Sequence, residues 1–290
     1  MIDVQNRAND RINGHAAGQT ARMRKNGRIY HDDYPPREPV FGVSEGNNFS
    51  SFQYMAEQAL REQEPTTALT LADESAVMFR ALPLMRAEIE KIRSEIQVLH
   101  QRHGTLSLGF ASAQSGEGTS TILANLIMDF KRTNLRILVV DLNVRHANLP
   151  SLFSLPDSPG LIDLVQARRS LTDVVRVIKA HKIFLLPLGK PAKTSPFELE
   201  TAVRAINKAG KNSKYFDLIL FDFPPLNQVP QGLYAARQID GLVQIVQAER
   251  TRVEVVRTLK HRLEHLGIQL FGVVLNQRRF YIPKFIYENL

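Results

Sequence analysis

One stretch of this chain, Ser112-Ala113-Gln114-Ser115-Gly116-Glu117-Gly118-Thr119-Ser120-Thr121, has the residue types and spacing to hold phosphate groups. Small residues let backbone N–H groups converge on phosphate oxygens, and a helix starting just beyond adds the positive end of its dipole. Gly116 and Gly118 meet the first need, and a helix predicted from near Thr119 meets the second. Ser120 stands where a hydroxyl can ligate Mg²⁺, and Thr121 where one can contact a phosphate oxygen. Against the pattern G-x-x-x-x-G-K-[ST], Ala113 takes the place of the first glycine and Thr119 that of the lysine.

A glycine-rich strand-to-helix turn is often only a turn. Two carboxylates at matching distances raise the reading. Ile137-Leu138-Val139-Val140-Asp141 and Leu218-Ile219-Leu220-Phe221-Asp222 each read as a strand ending in an aspartate. In an open α/β sheet, ligands bind at the carboxyl ends of the strands, so Asp141 and Asp222 are expected beside the loop. A lone strand-end aspartate is usually a cap or turn residue; two with the loop favour a nucleotide site.

These residues need a frame. Leu106 to Ala111, Arg136 to Asp141, Lys182 to Pro187, Leu218 to Asp222, Gly241 to Val246 and Leu270 to Leu275 read as buried strands of a mostly parallel sheet. Ser120 to Lys131, Pro196 to Lys208 and Thr251 to Leu266 read as helices between them. The fold class is therefore a doubly wound α/β domain. Ahead of it, Met85, Ile89, Ile92, Ile96 and Leu99 recur at spacings of four and three, one apolar helical stripe that Pro83 can open. The stripe suits packing against the sheet or a neighbouring helix, with a subunit contact as the alternative. The expected organisation is a largely disordered arm over 1–70, with one short helix around Phe52 to Arg61. A helical segment over 71–104, the α/β domain over 105–279 and a basic, aromatic tail over 280–290 follow.

Composition sets outer limits. With 43% hydrophobic residues in 290, one sizeable α/β domain is affordable, and the absence of cysteine excludes disulfides and thiolate metal sites. No apolar run reaches the roughly 18 residues of a membrane span, and the start reads as no signal peptide, so a cytoplasmic protein is expected. The net charge of +8 lies outside the nearly neutral first 65 residues. By itself it does not separate nucleotide, nucleic acid or anionic lipid from a generally basic surface.

The ordered motifs resemble those of bacterial tyrosine kinases, P-loop proteins that regulate capsule and exopolysaccharide export. The loop is similar to their S-A-x-P-G-E-G-K-S-T. Val139-Val140-Asp141-Leu142-Asn143-Val144-Arg145 looks like their D-x-D-x-R motif, and Phe221-Asp222-Phe223-Pro224-Pro225 like their Walker B segment, D-x-P-P. Gly160-Leu161-Ile162-Asp163-Leu164, Ser195-Pro196-Phe197-Glu198-Leu199 and Gly272-Val273-Val274-Leu275-Asn276 echo further family segments, so the likeness spans about Pro83 to Arg279.

The resemblance implies a P-loop fold binding ATP or ADP with Mg²⁺. Ser120 and Asp222 would serve the metal, and Asp141 would orient or activate the attacking group. Gly116, Gly118, Thr119, Ser120 and Thr121 would line the phosphates, and Asn276 would lie near the base. It also implies a membrane-spanning polysaccharide co-polymerase or export protein as partner, placing this chain peripherally at the inner membrane.

The departures shape the functional expectation. Thr119 supplies no positive charge where the family has lysine, and electrostatic stabilisation dominates phosphoryl transfer. Asn143 replaces the second acidic residue of D-x-D, with Arg145 as the candidate compensating cation. The family's ring-forming E-x-x-R-x-x-R element falls on Ala87, Glu90 and Arg93, where only Arg93 matches, and only Tyr281 and Tyr287 lie near the end. The expectation is a degenerate, kinase-like regulator of exopolysaccharide or capsule assembly, with homo-oligomer formation open. A weakly active ATPase or tyrosine autokinase, and a partition-type positioning ATPase, are the alternatives.

Two other patterns carry less. His261-Arg262-Leu263-Glu264-His265 matches the metalloprotease string H-x-x-E-H, but a solvated helix face explains it better. The tail's aromatic and basic residues could dock on a membrane surface, on a membrane partner or on their own domain. Nucleic-acid stacking has no other support in the chain.

Overall fold

The structure, a computed structural model, describes residues 70–72, 83–145, 147–165, 169–178, 182–190 and 196–278. Eight strands form one sheet: β1 (Thr70–Ala72), β2 (Leu106–Ser112), β3 (Ile137–Asp141), β4 (Arg176–Ile178), β5 (Ile183–Leu186), β6 (Leu218–Asp222), β7 (Gly241–Gln247) and β8 (Leu270–Asn276). Their order is β1-β4-β5-β3-β6-β2-β7-β8. Every pairing is parallel except β4 with β5. The six strands expected from their apolar runs are all present. The two short ones at the β1 edge, β1 and β4, were not expected; each has only three residues, too few for a periodic signal.

The helices among the described residues are α1 (Pro83–His103), α2 (Thr119–Phe130), α3 (Leu149–Leu152), α4 (Leu161–Val165), α5 (Leu171–Val174), α6 (Pro196–Ser213), α7 (Gln231–Ala236) and α8 (Val253–His265). They cover both faces of the sheet, as a doubly wound fold requires. On one face α1 and α2 supply Ile89, Ile96, Leu123, Leu126 and Ile127, which bury Phe110, Val139, Leu220 and Ile245. On the other, Leu199, Val203 and Ile206 of α6, Leu233 of α7, and Leu259 and Leu263 of α8 bury Leu138, Val140, Ile219, Phe221 and Leu242. Residues one apart along β3 and β6 point to opposite faces, which is why these strands are apolar throughout.

The predicted stripe of α1 lies on this packed side: Ile89 and Ile96 are buried, and Met85, Ile92 and Leu99 pack partly buried against the same cluster. Arg93 locks the two helices together, donating from Nε to Asp129 Oδ2 of α2 at 2.7 Å, with both side chains largely out of water.

Gly109 in the middle of β2 is a packing requirement. A Cβ there would sit 2.3 Å from Leu242 Cδ2 and 2.6 Å from Phe223 Cε2. The strand that feeds the glycine-rich loop therefore packs closely against the side chains of Leu242 and Phe223. Nearly all of the arm, its expected helix at Phe52 to Arg61 and the tail over 280–290 lie outside the described residues.

Candidate functional site

The ends of β2, β3, β6, β7 and β8 meet at one edge of the sheet. β2 runs into the loop Ala113 to Gly118, and α2 starts at Thr119. The chain leaving β6 passes close to this loop: Leu226 N–H donates to Ser112 O at 2.9 Å and Asn227 N–H to Ala113 O at 3.3 Å. The proline pair Pro224-Pro225 has no N–H to donate, so the donors to β2 and the loop are Phe223, on Phe110 O at 2.9 Å, and the two residues that follow the pair. Gly116 and Gly118 adopt φ of +84° and +89°, a backbone that favours glycine. A Cβ on Gly116 would meet nothing, whereas one on Gly118 would lie 2.3 Å from Asn276 Nδ2. The loop therefore has an open tip and a closed shoulder.

Asp141 and Asp222 are register partners on β3 and β6, and both are completely buried. Ser120 Oγ donates to Asp222 Oδ2 at 2.6 Å, which brings the first helical turn of α2 onto the end of β6. Asn143 N–H donates to Asp141 Oδ1 at 2.9 Å. Asp222 Oδ1, Asp141 Oδ2 and the hydroxyl of Thr119 have no partner among the described residues.

Burial raises both carboxyls above the ordinary range. For Asp141 it raises the pKa to about 7, against the backbone N–H groups of Asn143 and Leu149, which pull it down. For Asp222 burial is the largest cause and the charge of Asp141 adds to it, while the Ser120 hydroxyl opposes both. Two carboxylates this close resist ionising together.

These residues fit a divalent cation. A hydroxyl and a carboxylate already in contact are hard oxygen donors, and two unpartnered carboxylate oxygens beside them are what Mg²⁺ would satisfy. The loop also fits phosphates through its backbone. It carries no lysine: Thr119, 7% exposed, occupies the start of the helix with its unpaired hydroxyl.

The other expected site residues fall in different places. Thr121, half-buried, opens the helix beside Ser120, and its carbonyl accepts from Asn125 Nδ2 at 2.8 Å. Arg145 is exposed on the segment after β3; its N–H reaches Asn143 Oδ1 at 3.3 Å, a local turn that suits asparagine as well as aspartate. Asn276 is buried, donates from Nδ2 to Glu117 O at 2.8 Å and accepts the Gln277 N–H on Oδ1 at 2.8 Å. Its amide thus buttresses the glycine-rich loop from the end of β8.

Sequence reasoning passed over Glu117. Its side chain is 2% exposed and accepts the Gln114 N–H at 2.8 Å and the Thr251 hydroxyl. The available signal was a charged residue between two glycines, which by itself reads as a solvated loop tip. Arg93, matched to a ring-forming position, is engaged within its own chain by Asp129. His261 is exposed on α8 and lies 3.4 Å from Glu264. Among the described residues no cluster of three or more histidine, cysteine, aspartate or glutamate side chains that could hold a metal occurs, and no helix is long and apolar enough to cross a membrane.

The comparisons agree with this geometry. The tyrosine-protein kinase CpsD of Streptococcus agalactiae is 26% identical over 188 residues, covering 64% of this chain and 80% of the relative. The crystal structure of the chimerical protein CapA2B2 has the same fold, with a TM-score of 0.61 at 23% identity over 79% of this chain and 100% of that one. The septum site-determining protein MinD of Pyrococcus horikoshii, complexed with Mg-ADP, superposes with a TM-score of 0.52 at 21% identity, covering 63% and 76%. No protein-family model matches the chain. Sequence similarity to tyrosine-protein kinases and a sheet edge built from Ser120, Asp141 and Asp222 converge in support of the bacterial tyrosine-kinase family.

Proposed function

We propose that this protein is a degenerate, kinase-like regulator of exopolysaccharide or capsule biosynthesis and export. It would bind Mg²⁺-nucleotide weakly and act at the cytoplasmic face of the inner membrane through a membrane-spanning chain-length or export protein. The observation that carries the reading is Ser120 Oγ on Asp222 Oδ2 at 2.6 Å, beside a loop with Thr119 where the lysine would be. The pair that would hold the metal is in contact, and no lysine stands where a cation would stabilise a transferring phosphoryl group.

Kinship to CpsD supports the pathway, and the MinD likeness supports the nucleotide class, since that protein was solved with Mg-ADP. Bound Mg²⁺ would neutralise phosphate charge. The chain's own residues would do the rest: the Gly116 to Gly118 backbone cradles phosphate oxygens, Ser120 and Asp222 hold the metal, and Asp141 receives a proton from an attacking hydroxyl. Losing one preorganised electrostatic contact commonly slows such chemistry about a hundredfold or more. Regulation by binding is therefore favoured over catalysis.

Affinity purification from solubilised membranes tests the pathway. Recovery of a polysaccharide chain-length or export protein is expected, and its consistent absence would contradict the proposal. The intact Ser120–Asp222 pair also favours a second reading, a slow ATPase or tyrosine autokinase with Arg145 as substitute cation. Phosphotyrosine on the purified chain, lost in Asp222→Ala, would identify that activity. ATP-dependent binding to DNA or liposomes would instead point to a positioning ATPase.

A further inference from the structure

Glu117 is buried in a place where a glutamate would ordinarily face water. Its loop neighbours Gln114, Ser115 and Gly116 are exposed, yet Glu117 is 2% exposed. The positive φ of the glycines on either side turns its side chain inward. There the carboxylate accepts the Gln114 N–H at 2.8 Å, the Thr251 hydroxyl and, at 3.5 Å, the Gln247 N–H. Among the described residues no lysine or arginine forms an ion pair with it. A buried carboxylate without a cation is stable only where donors replace its hydration, so these contacts are what keep it inside.

The two donors from outside the loop belong to a single segment. Gln247 ends β7, and Thr251 stands two residues before α8. The segment is closed on itself by Thr251 N–H to Gln247 O at 3.1 Å and tied to β8 by Ala248 N–H to Asn276 O at 2.8 Å. Asn276 then returns to Glu117, donating from Nδ2 to its carbonyl at 2.8 Å. The phosphate loop is thus fixed on two flanks. Ser120 ties it to β6, and Glu117 ties it to the β7–α8 segment and the end of β8. Glu249 inside that segment holds φ of +62°, an unfavourable backbone for a residue with a side chain. Arg250, Arg252 and Val253 next to Thr251 are exposed, so the segment faces solvent while its base reaches the loop.

We propose that Glu117 is a positioning residue that sets the shape of the phosphate loop and couples it to residues 247–251, so that occupancy of the loop is reported at that surface segment. The proposal rests on the loop being a nucleotide site. Glu117 touches neither the metal-holding Ser120 and Asp222 nor Asp141 in any contact described above. It acts through the backbone it holds.

Hydrogen exchange of the full chain, with and without Mg²⁺-ADP, tests this in the wild type, Glu117→Ala and Thr251→Ala. Thr251 lies outside the proposed binding machinery, so its variant remains informative if Glu117→Ala fails to fold. Mg²⁺-ADP is expected to slow exchange in the wild type both at 114–121 and at 247–253. In Thr251→Ala the protection at 114–121 should persist while that at 247–253 is lost. Equal protection of both segments in wild type and Thr251→Ala would overturn the coupling. If calorimetry shows that the wild type binds no nucleotide, the nucleotide reading fails separately, and the ligand-free exchange decides the coupling. Loss of the Thr251 contact should then speed exchange at 114–121 about fivefold, the effect of one hydrogen bond. Unchanged exchange there would overturn it.

Discussion

Asp141 and Asp222 stand side by side as register partners on adjacent strands, and each keeps one carboxylate oxygen without a hydrogen bond among the described residues. Parallel pairing of β3 with β6 forces the two side chains to the same face, so the arrangement follows from strand register rather than from loop placement. Bringing two acids together in the interior stores a cost that a proton or a divalent cation relieves.

The first prediction concerns pH. Asp141 titrates at about 7 in the folded chain, raised from 3.8 mainly by burial. A raised carboxyl means that the folded state holds a proton that the unfolded chain has released. Its contribution to stability is complete below the unfolded value and is lost as pH rises through about 7. Asp141→Asn keeps an acceptor for the Asn143 N–H and removes the charge that loads Asp222. At pH 8 the variant is expected to be more stable than wild type by about 1–3 kcal/mol, with little gain at pH 4. Urea denaturation at both pH values checks this; a loss of stability at pH 8 would contradict it.

The second concerns the missing cation. Thr119→Lys places an ammonium at the start of α2, where the related loops carry their lysine. Affinity for Mg²⁺-ATP is expected to rise about tenfold or more, with a new preference for ATP over ADP, because a lysine there bridges β- and γ-phosphates. Titration calorimetry of both nucleotides checks it. Equal affinities for wild type and variant would show that Thr119 does not face the phosphates.

Much of this site was legible in the sequence, and the boundary of legibility is physical. The strands ending in Asp141 and Asp222 announce themselves because apolar runs buried on both faces have no other use. The loop is recognisable because Gly116 and Gly118 permit a backbone that other residues resist. β1 and β4 were not legible, since three residues carry no period. Glu117 was not legible either: its burial depends on Thr251 and Gln247, which lie far along the chain and reach it only because β7 pairs with β2. Asn276 was singled out by resemblance as a residue near the base, and its bond to the Glu117 carbonyl has no sequence signature.

The third prediction addresses Arg93. Its Nε donates to Asp129 Oδ2, and Asp129 is largely buried, with Arg132 as a longer second contact at 3.7 Å. Arg93→Ala leaves that carboxylate poorly compensated and should cost about 1–3 kcal/mol of stability. Because Arg93 serves its own chain, the oligomeric state is expected to stay the same. Denaturation and light scattering on the same sample check both parts, and a changed mass at unchanged stability would assign Arg93 to a subunit contact.

The most direct test of the central claim, that this phosphate loop still holds nucleotide without its lysine, is calorimetric titration of the purified chain with ATP and ADP. It would be run with and without Mg²⁺ and with Asp222→Ala as control. The expected result is weak binding of both nucleotides that requires Mg²⁺ and disappears in Asp222→Ala. No binding by the wild type up to millimolar nucleotide with Mg²⁺ would contradict the claim and leave a kinase fold serving as a scaffold alone.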